Sequence, residues 1–481
     1  MKPLSPSTAR QQQQLRKSLT LWDGFNLVVG SIIGSGIFAS PGVVFKHTGS
    51  GGASLLVWAF AGLIALCGAV SYVELALALP SAGGEVTYMT RFFGKTAGFL
   101  FTWANATVSR PAAFAITSIV CGQYLCRLAY GDVAECKDGS STTVMIISFL
   151  AAGLVFAVNV LSSNATTITL RTSTTTSVFA LGVAVLIGLL HALEVKTLGS
   201  RIGFAGTSTN ILDWSPAFLA ALWAYDGWNT LNYASEELAS ADDFLRIIKL
   251  SIPFVTGLFV FVNAAYLIAL PENVVAHSET IGVDLATTAF GRVGASVMPL
   301  FVATSAFGSA VGNMFGGARL VFSSARDGTL PEYLADLSPR SALPVKAVFC
   351  QTVLGCGFLL VGNFEELVSM FSCATWGFYF VTVAGLIRAR VMEPDMPRPY
   401  KVPLIAPVIF SIASLLLILI EFVSKPKSSI TAFVFILLGI PFFRLQKFSV
   451  FRQMCCFRKR GDQVFDLETE EQEQVTYRTF H

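Results

Sequence analysis

Gly30-Ser31-Ile32-Ile33-Gly34-Ser35-Gly36-Ile37-Phe38 lies in the middle of an apolar segment running from about Leu19 to Phe45. A run of that length fits a membrane span, which needs roughly 20 apolar residues. Three glycines and two serines interrupt it at mid-depth. Glycine is a poor helix former, and its backbone reaches dihedrals that other residues avoid. In hydrocarbon an unpaired N–H or C=O is costly, so a break survives only where protein or a water-filled cavity supplies partners. Two half-helices would then aim free N–H groups and free carbonyls at one spot. Free N–H groups attract a carboxylate, free carbonyls attract an ammonium, and an α-amino acid carries both. The same residues also fit a packing role: Gly30 and Gly34 form a GxxxG pair, which lets helices touch.

The composition places that segment in a membrane. The chain is 53% hydrophobic and 13% charged, with a mean hydropathy of +0.64, whereas soluble domains carry roughly 25% charged residues. Twelve apolar segments are expected, near 19–45, 54–79, 97–126, 142–161, 174–193, 214–235, 250–271, 296–324, 345–362, 367–388, 405–424 and 429–447. The loops 80–95 and 325–344 read as partly helical. The first 18 residues are polar, so no cleavable signal peptide is expected. The organisation is an N-terminal tail (1–18), a membrane domain (19–447) and a C-terminal tail (448–481) that starts basic and ends acidic. Most of the 33 Lys and Arg fall on the side of the two tails. The positive-inside bias therefore puts both termini in the cytoplasm.

Segment 6 repeats the interruption with Trp223-Ala224-Tyr225-Asp226-Gly227-Trp228-Asn229 at mid-span. Segments 1 and 6 are five apart, the offset of two inverted halves (about 19–193 and 214–388) followed by two extra spans. Paired interruptions in two halves point to the central site of a transporter. Asp226 is the clearest ionisable group inside a span, where insertion costs about 2.5–3.5 kcal/mol. Its carboxylate suits a cationic substrate group, or it caps the half-helix that follows. Trp223 and Tyr225 flank it as lid candidates or as packing. Arg110, before Pro111 in segment 3, either approaches the site or neutralises carbonyls that the proline frees. Glu74, Glu236 and Glu237 read as membrane-edge residues. Cys136 is alone in the polar loop 131–141. A lone exposed cysteine suggests an interchain disulfide; a free thiol or a pair with Cys126 are the alternatives. Cys67, Cys121, Cys350, Cys356 and Cys373 read as small apolar side chains. No metal-ligand spacing and no cofactor motif is present.

Other classes fit less well. An intramembrane aspartyl protease needs two carboxylates to share the acid and base roles, and Asp226 has no mid-span partner. No ring of charged residues or filter repeat suggests a channel. A non-transporting receptor or scaffold is the remaining alternative.

Several motifs together resemble the amino acid–polyamine–organocation superfamily, and within it the L-type light chains of heteromeric amino acid transporters. They are Ile32-Ile33-Gly34-Ser35-Gly36-Ile37-Phe38, Pro80-Ser81-Ala82-Gly83-Gly84-Glu85, Trp223 to Asn229, Glu236-Glu237-Leu238 and Arg398-Pro399-Tyr400-Lys401-Val402-Pro403. The resemblance implies an all-α, LeuT-like fold of twelve transmembrane helices with broken helices 1 and 6. It also implies alternating access, with exchange as the expected mode, and a plasma-membrane location. The implied substrate-binding set is Ile32, Ile33, Ser35, Gly36, Trp223, Tyr225, Asp226 and Asn229. In it Ser35 and Gly36 hold the carboxylate, carbonyls near Ile32, Trp223 and Asp226 hold the ammonium, and the Trp223 ring gates the site. Cys136 falls in the loop where family members join a single-span glycoprotein heavy chain by a disulfide. The Asp226 run looks like the branch that exchanges dibasic amino acids and cystine for neutral ones. Arg110-Pro111-Ala112-Ala113 looks more like the cystine/glutamate exchanger, which has an arginine where this chain has Thr375. A purely neutral substrate range is a further alternative. Ser177 stands where many members carry a lysine, which bears on ion coupling.

Overall fold

The computed structural model describes residues 20–79, 84–131, 133, 136, 141–194, 201–232, 241–338, 343–361 and 364–445. The tails, Pro80 to Gly83 and the Glu236-Glu237-Leu238 motif lie outside the described residues. Regular structure among the described residues is helical: α1 (Leu21–Ile32), α2 (Gly36–Ala39), α3 (Pro41–Thr48), α4 (Gly51–Ala78), α5 (Glu85–Phe93), α6 (Lys95–Tyr130), α7 (Thr142–Leu161), α8 (Ser163–Glu194), α9 (Ile211–Ala224), α10 (Ala241–Ala269), α11 (Glu272–His277), α12 (Ile281–Phe290), α13 (Arg292–Arg326), α14 (Val345–Val361), α15 (Phe364–Met392), α16 (Ile405–Ser424) and α17 (Pro426–Leu445). Ten spans among these residues are long and apolar enough to cross a membrane, with Leu21–Ala39 as one of them. The apolar helices α9, α12 and α14 are shorter.

Local chemistry sets the helix starts. Thr20 and Asp23 form a capping box on α1: the Asp23 N–H donates to Thr20 Oγ1 at 3.3 Å and the Thr20 N–H donates to Asp23 Oδ2 at 3.1 Å. Ser50 and Ser141 cap α4 and α7 through the N–H groups of Ala53 and Val144. These caps satisfy N–H groups that a helix start leaves without carbonyls. Outward faces are apolar. Leu150, Leu154, Phe179, Leu186, Phe261 and Leu416 are each more than half exposed, a surface suited to lipid rather than water. Inward faces are small. A Cβ on Gly188 would come within 2.2 Å of Ala265 Cβ, and one on Gly308 within 2.0 Å of Ser173 Cβ. Glycine at these seams lets α8 lie against α10 and α13.

Glu74, near the end of α4, is fully buried within the protein. Arg390 of α15 pairs with it, the Val402 N–H donates to it at 2.8 Å, and Arg398 lies at 3.5 Å. The Arg398-to-Pro403 motif is thus a strap across the end of the bundle. A buried carboxylate needs such partners.

Within α6, residues Asn105–Ser109 form one π turn ahead of Pro111. The Arg110 N–H reaches back to Asn105 O, which leaves Ala106 O without its helical partner. Gln351 Nε2 donates to that carbonyl at 2.7 Å. The backbone freed beside the proline is therefore served by Gln351, not by the Arg110 side chain.

At Cys136 the structure shows the alternative left open by the sequence, a pair with Cys126, in place of an interchain disulfide. Cys136 is bonded to Cys126 at the end of α6, with a Cα–Cα distance of 5.4 Å. The two cysteines lie ten positions apart in sequence. The five free cysteines among the described residues lie within helices.

Candidate functional site

Both predicted interruptions are present, and they touch. The first helix stops at Ile32. Ile33 is extended (φ −77°, ψ 90°) and its N–H closes on Val29 O, while the Gly34 N–H turns back to Ile32 O at 2.9 Å. The chain restarts at Gly36 with Ser35 as N-cap, so α2 opens with backbone N–H groups that have no intrahelical carbonyl. Ser35 is buried, and its Oγ has no hydrogen-bond partner. The second helix stops at Ala224. Residues 225–229 are turns held by Asp226 N–H to Trp223 O (3.1 Å) and Thr230 N–H to Gly227 O (3.1 Å).

Two glycines set the contact. A Cβ on Gly36 would lie 2.7 Å from Ala224 Cα and 3.2 Å from Trp223 Cζ3. Gly227 has φ +104°, and a Cβ there would lie 2.7 Å from Ser31 O. Each break therefore rests on the backbone of the other, where a side chain would not fit. The packing role also holds: a Cβ on Gly30 would lie 3.2 Å from Thr174 Cγ2, and one on Gly34 2.9 Å from Ser309 Oγ. The two glycines admit α8 and α13 while the next residues break the helix.

The other sequence candidates fall into different places. Ile32 and Ile33 are buried at the break. Trp223 is 8% exposed, and its ring meets the Phe364 ring edge-on at 5.5 Å. Tyr225 points away from the break: it is fully buried, its hydroxyl donates to Trp58 O at 3.0 Å, and its ring packs on Phe259. The Tyr225 side chain is thus an anchor, and a lid role for it is corrected. Asp226 accepts a hydrogen bond from Tyr379 of α15 at 3.2 Å, and Arg110 of α6 is the cation whose field reaches it. Asn229 donates to the buried Glu85 of α5 at 2.6 Å. Thr375 meets Ser109 at 3.2 Å, one residue from Arg110. Ser177 lies outside the break, in the seam between α8 and α13, where its hydroxyl donates to Ser173 O (2.8 Å) and lies 2.6 Å from the Ser305 hydroxyl.

A cavity of about 530 Å³ leads from Arg110 toward the end of the bundle that carries Lys95, Asp327 and Phe443. Arg319, Asn105 and Ser323 line it too; much of its wall is apolar, and its charged groups are the cations Lys95, Arg110 and Arg319 and the carboxylate of Asp327. Arg110 joins this cavity to the break through its field on Asp226. At the opposite end of the bundle, the rings of Trp223 and Phe364 lie over the break.

Residues 19–443 match the amino acid permease family. The chain belongs to the amino acid permeases. It is 32% identical to the b(0,+)-type amino acid transporter 1 of Mus musculus over 91% of this chain and 90% of that protein. It is also 32% identical to the cystine/glutamate transporter of Homo sapiens, over 91% of this chain and 86% of the relative. A third relative at 32%, the Asc-type amino acid transporter 1 of Mus musculus, covers 94% and 85%. All three relatives are transporters by name, not enzymes.

Some of the permease's site residues were not singled out from the sequence. Gly316 and Gly317 of α13 make room for Arg110: Cβ atoms on them would sit 3.6 Å from its Nη1 and 3.2 Å from its Cβ. The Gly-Gly pair inside an apolar segment was the available signal. Tyr379 lies one helical turn after Thr375, on the same face. Glu85 closes the site from a loop helix, and nothing in its local sequence points to Asn229.

Proposed function

We propose that this permease moves L-amino acids across the membrane by exchange, through alternating access to the paired breaks. The observation that carries the reading is the mutual contact of the two interruptions, Gly36 on Ala224 and Gly227 on Ser31. The N–H groups of Ser35 and Gly36, with the unpartnered Ser35 hydroxyl, bind the substrate carboxylate. The carbonyls at Ile32, Trp223 and Asp226, left over at the ends of two helices, bind the ammonium. The architecture is twelve transmembrane helices in a LeuT-like 5+5 inverted repeat: the ten long spans plus α9, extended by the second break, and α14. Both termini face the cytoplasm of a plasma-membrane protein, so the cavity at Arg110 is the cytoplasmic exit.

At the side-chain end of the site, Asp226 is compensated by Arg110 and Tyr379. This compensation favours neutral side chains. A dibasic side chain enters by taking over part of the role of Arg110, and a cystine-like side chain, with an ammonium and a carboxylate of its own, matches both charges. A heavy chain, if one pairs with this permease, is held without Cys136.

Counterflow into proteoliposomes against an amino acid panel tests the function. Leucine inside should drive leucine uptake, amino acid amides should compete at least tenfold more weakly than free acids, and Gly36→Val should abolish uptake. Amides competing as well as acids would refute carboxylate binding at Ser35 and Gly36.

A further inference from the structure

The end of the bundle opposite the cavity is closed, and what closes it is a set of contacts on the first two residues of α15. Phe364 lies edge-on to Trp223 at 5.5 Å. The next residue, Glu365, is bound on two sides. Lys46 Nζ, on the half-helix that continues from Gly36, donates to its Oε1 at 3.4 Å. Lys425 Nζ, in the turn between α16 and α17, donates to its Oε2 at 2.9 Å. The three residues are 319 and 60 positions apart in sequence, so no local structure requires these pairs. The Glu365 side chain is 31% exposed and that of Lys425 24%, and the two ammonium groups share one carboxylate. A small void walled by Val43, Leu219, Phe364 and Glu365 lies directly beneath. α9 packs against both α3 and α15, so parting these helices at this end breaks the ion pairs and the ring contact.

We propose that Glu365 is a positioning residue for transport, a latch that pairs with Lys46 and Lys425 to hold Phe364 over Trp223 and keep this end of the pathway shut. The inference rests on the alternating-access reading and adds the element that biases it. Exposed ion pairs are individually weak, about 0.2–1 kcal/mol. Two pairs on one partly buried carboxylate therefore set a bias of about twofold to thirtyfold between closed and open, which a substrate can overcome in each cycle. A much stronger latch would stall exchange.

The test uses the purified full-length chain in detergent, where a soluble thiol reagent reaches both ends. Val43→Cys reports the latched end and Ser323→Cys reports the cavity, each corrected for labelling of the same variant without the reporter cysteine. Glu365→Gln should speed labelling at Val43→Cys about fivefold and slow labelling at Ser323→Cys. Lys46→Gln, a change at an exposed side chain, should shift both in the same direction by less. Glu365→Lys gathers three cations and should open this end further. Adding Lys46→Glu and Lys425→Glu to it inverts every sign and should restore the native labelling ratio. If both reporters speed up together, the variants loosen the fold and the latch is wrong. If neither reporter moves, or if sign inversion fails to restore the ratio, it is equally wrong. Counterflow by the native chain tests transport separately, so loss of the latch and loss of the transport reading give different results.

Discussion

Asp226→Asn and Arg110→Gln each leave one member of an opposite-charge pair without its counter-charge, in the part of the site proposed for the substrate side chain. No ion pair within 4.0 Å joins them among the described residues, so their attraction acts at longer range. At an effective dielectric constant of about 20, two unit charges attract by about 4 kcal/mol at 4 Å and by less at longer range. Water in the cavity beside Arg110 reduces this to about 1–2 kcal/mol, or roughly fivefold to thirtyfold in affinity. The Tyr379 hydrogen bond keeps its geometry when Asp226 becomes Asn, so the shape of the site is preserved. Competition of leucine, arginine and glutamate for initial uptake into proteoliposomes reads the effect. Arg110→Gln exposes the carboxylate and should favour arginine over leucine by about that factor. Asp226→Asn exposes the guanidinium, so arginine should lose and glutamate should gain. The double variant restores neutrality and should return leucine uptake toward the native level. If each single change lowers all three substrates alike, and the double change is no better, then Asp226 is a helix cap and Arg110 a structural cation.

Two further outcomes follow from the same contacts. Full-length protein in native membranes should show no high-mass band that collapses with reductant, and Cys126 and Cys136 should become alkylatable only after reduction. Cys136→Ser should cost about 2–3 kcal/mol of stability, the loop-closure entropy of a ten-residue loop, read as a lower melting temperature; a reductant-sensitive complex that disappears in this variant would refute the intrachain pairing. His47, beside the latch, is half-buried with an unpaired Nε2. Burial chiefly holds its pKa below the ordinary 6.5, with Lys425 and Lys46 adding to the shift and Glu365 and Asp213 opposing it. The closed end therefore binds the proton less well than a hydrated open end, so acid favours opening. Relative to a free thiol labelled at the same pH, because the thiolate is the reactive form, labelling at Val43→Cys should rise as pH falls below about 6.5, and His47→Gln should flatten that dependence; a profile unchanged by the substitution would exclude His47.

The sequence by itself determined the membrane-spanning class, the approximate limits of most helices and the positions of both breaks. These are local properties. Apolar length fixes what can lie in lipid, and glycine or a charge at mid-span removes helix propensity where it occurs. The family match rests on the same local runs. Tertiary structure decided everything that depends on a distant partner. It brought Gly36 onto Ala224 and Gly227 onto Ser31, turned the Tyr225 ring into the core against Trp58, and buried Glu74 beneath Arg390. It joined Cys136 to Cys126, and set Arg110 and Tyr379 around Asp226. The latch is the clearest case: Lys46 and Glu365 look like ordinary loop-end charges in sequence. Only the packing of α3, α15 and the α16–α17 turn places two ammonium groups on one carboxylate, because the strength of a charge pair depends on separation and burial, and a linear pattern encodes neither.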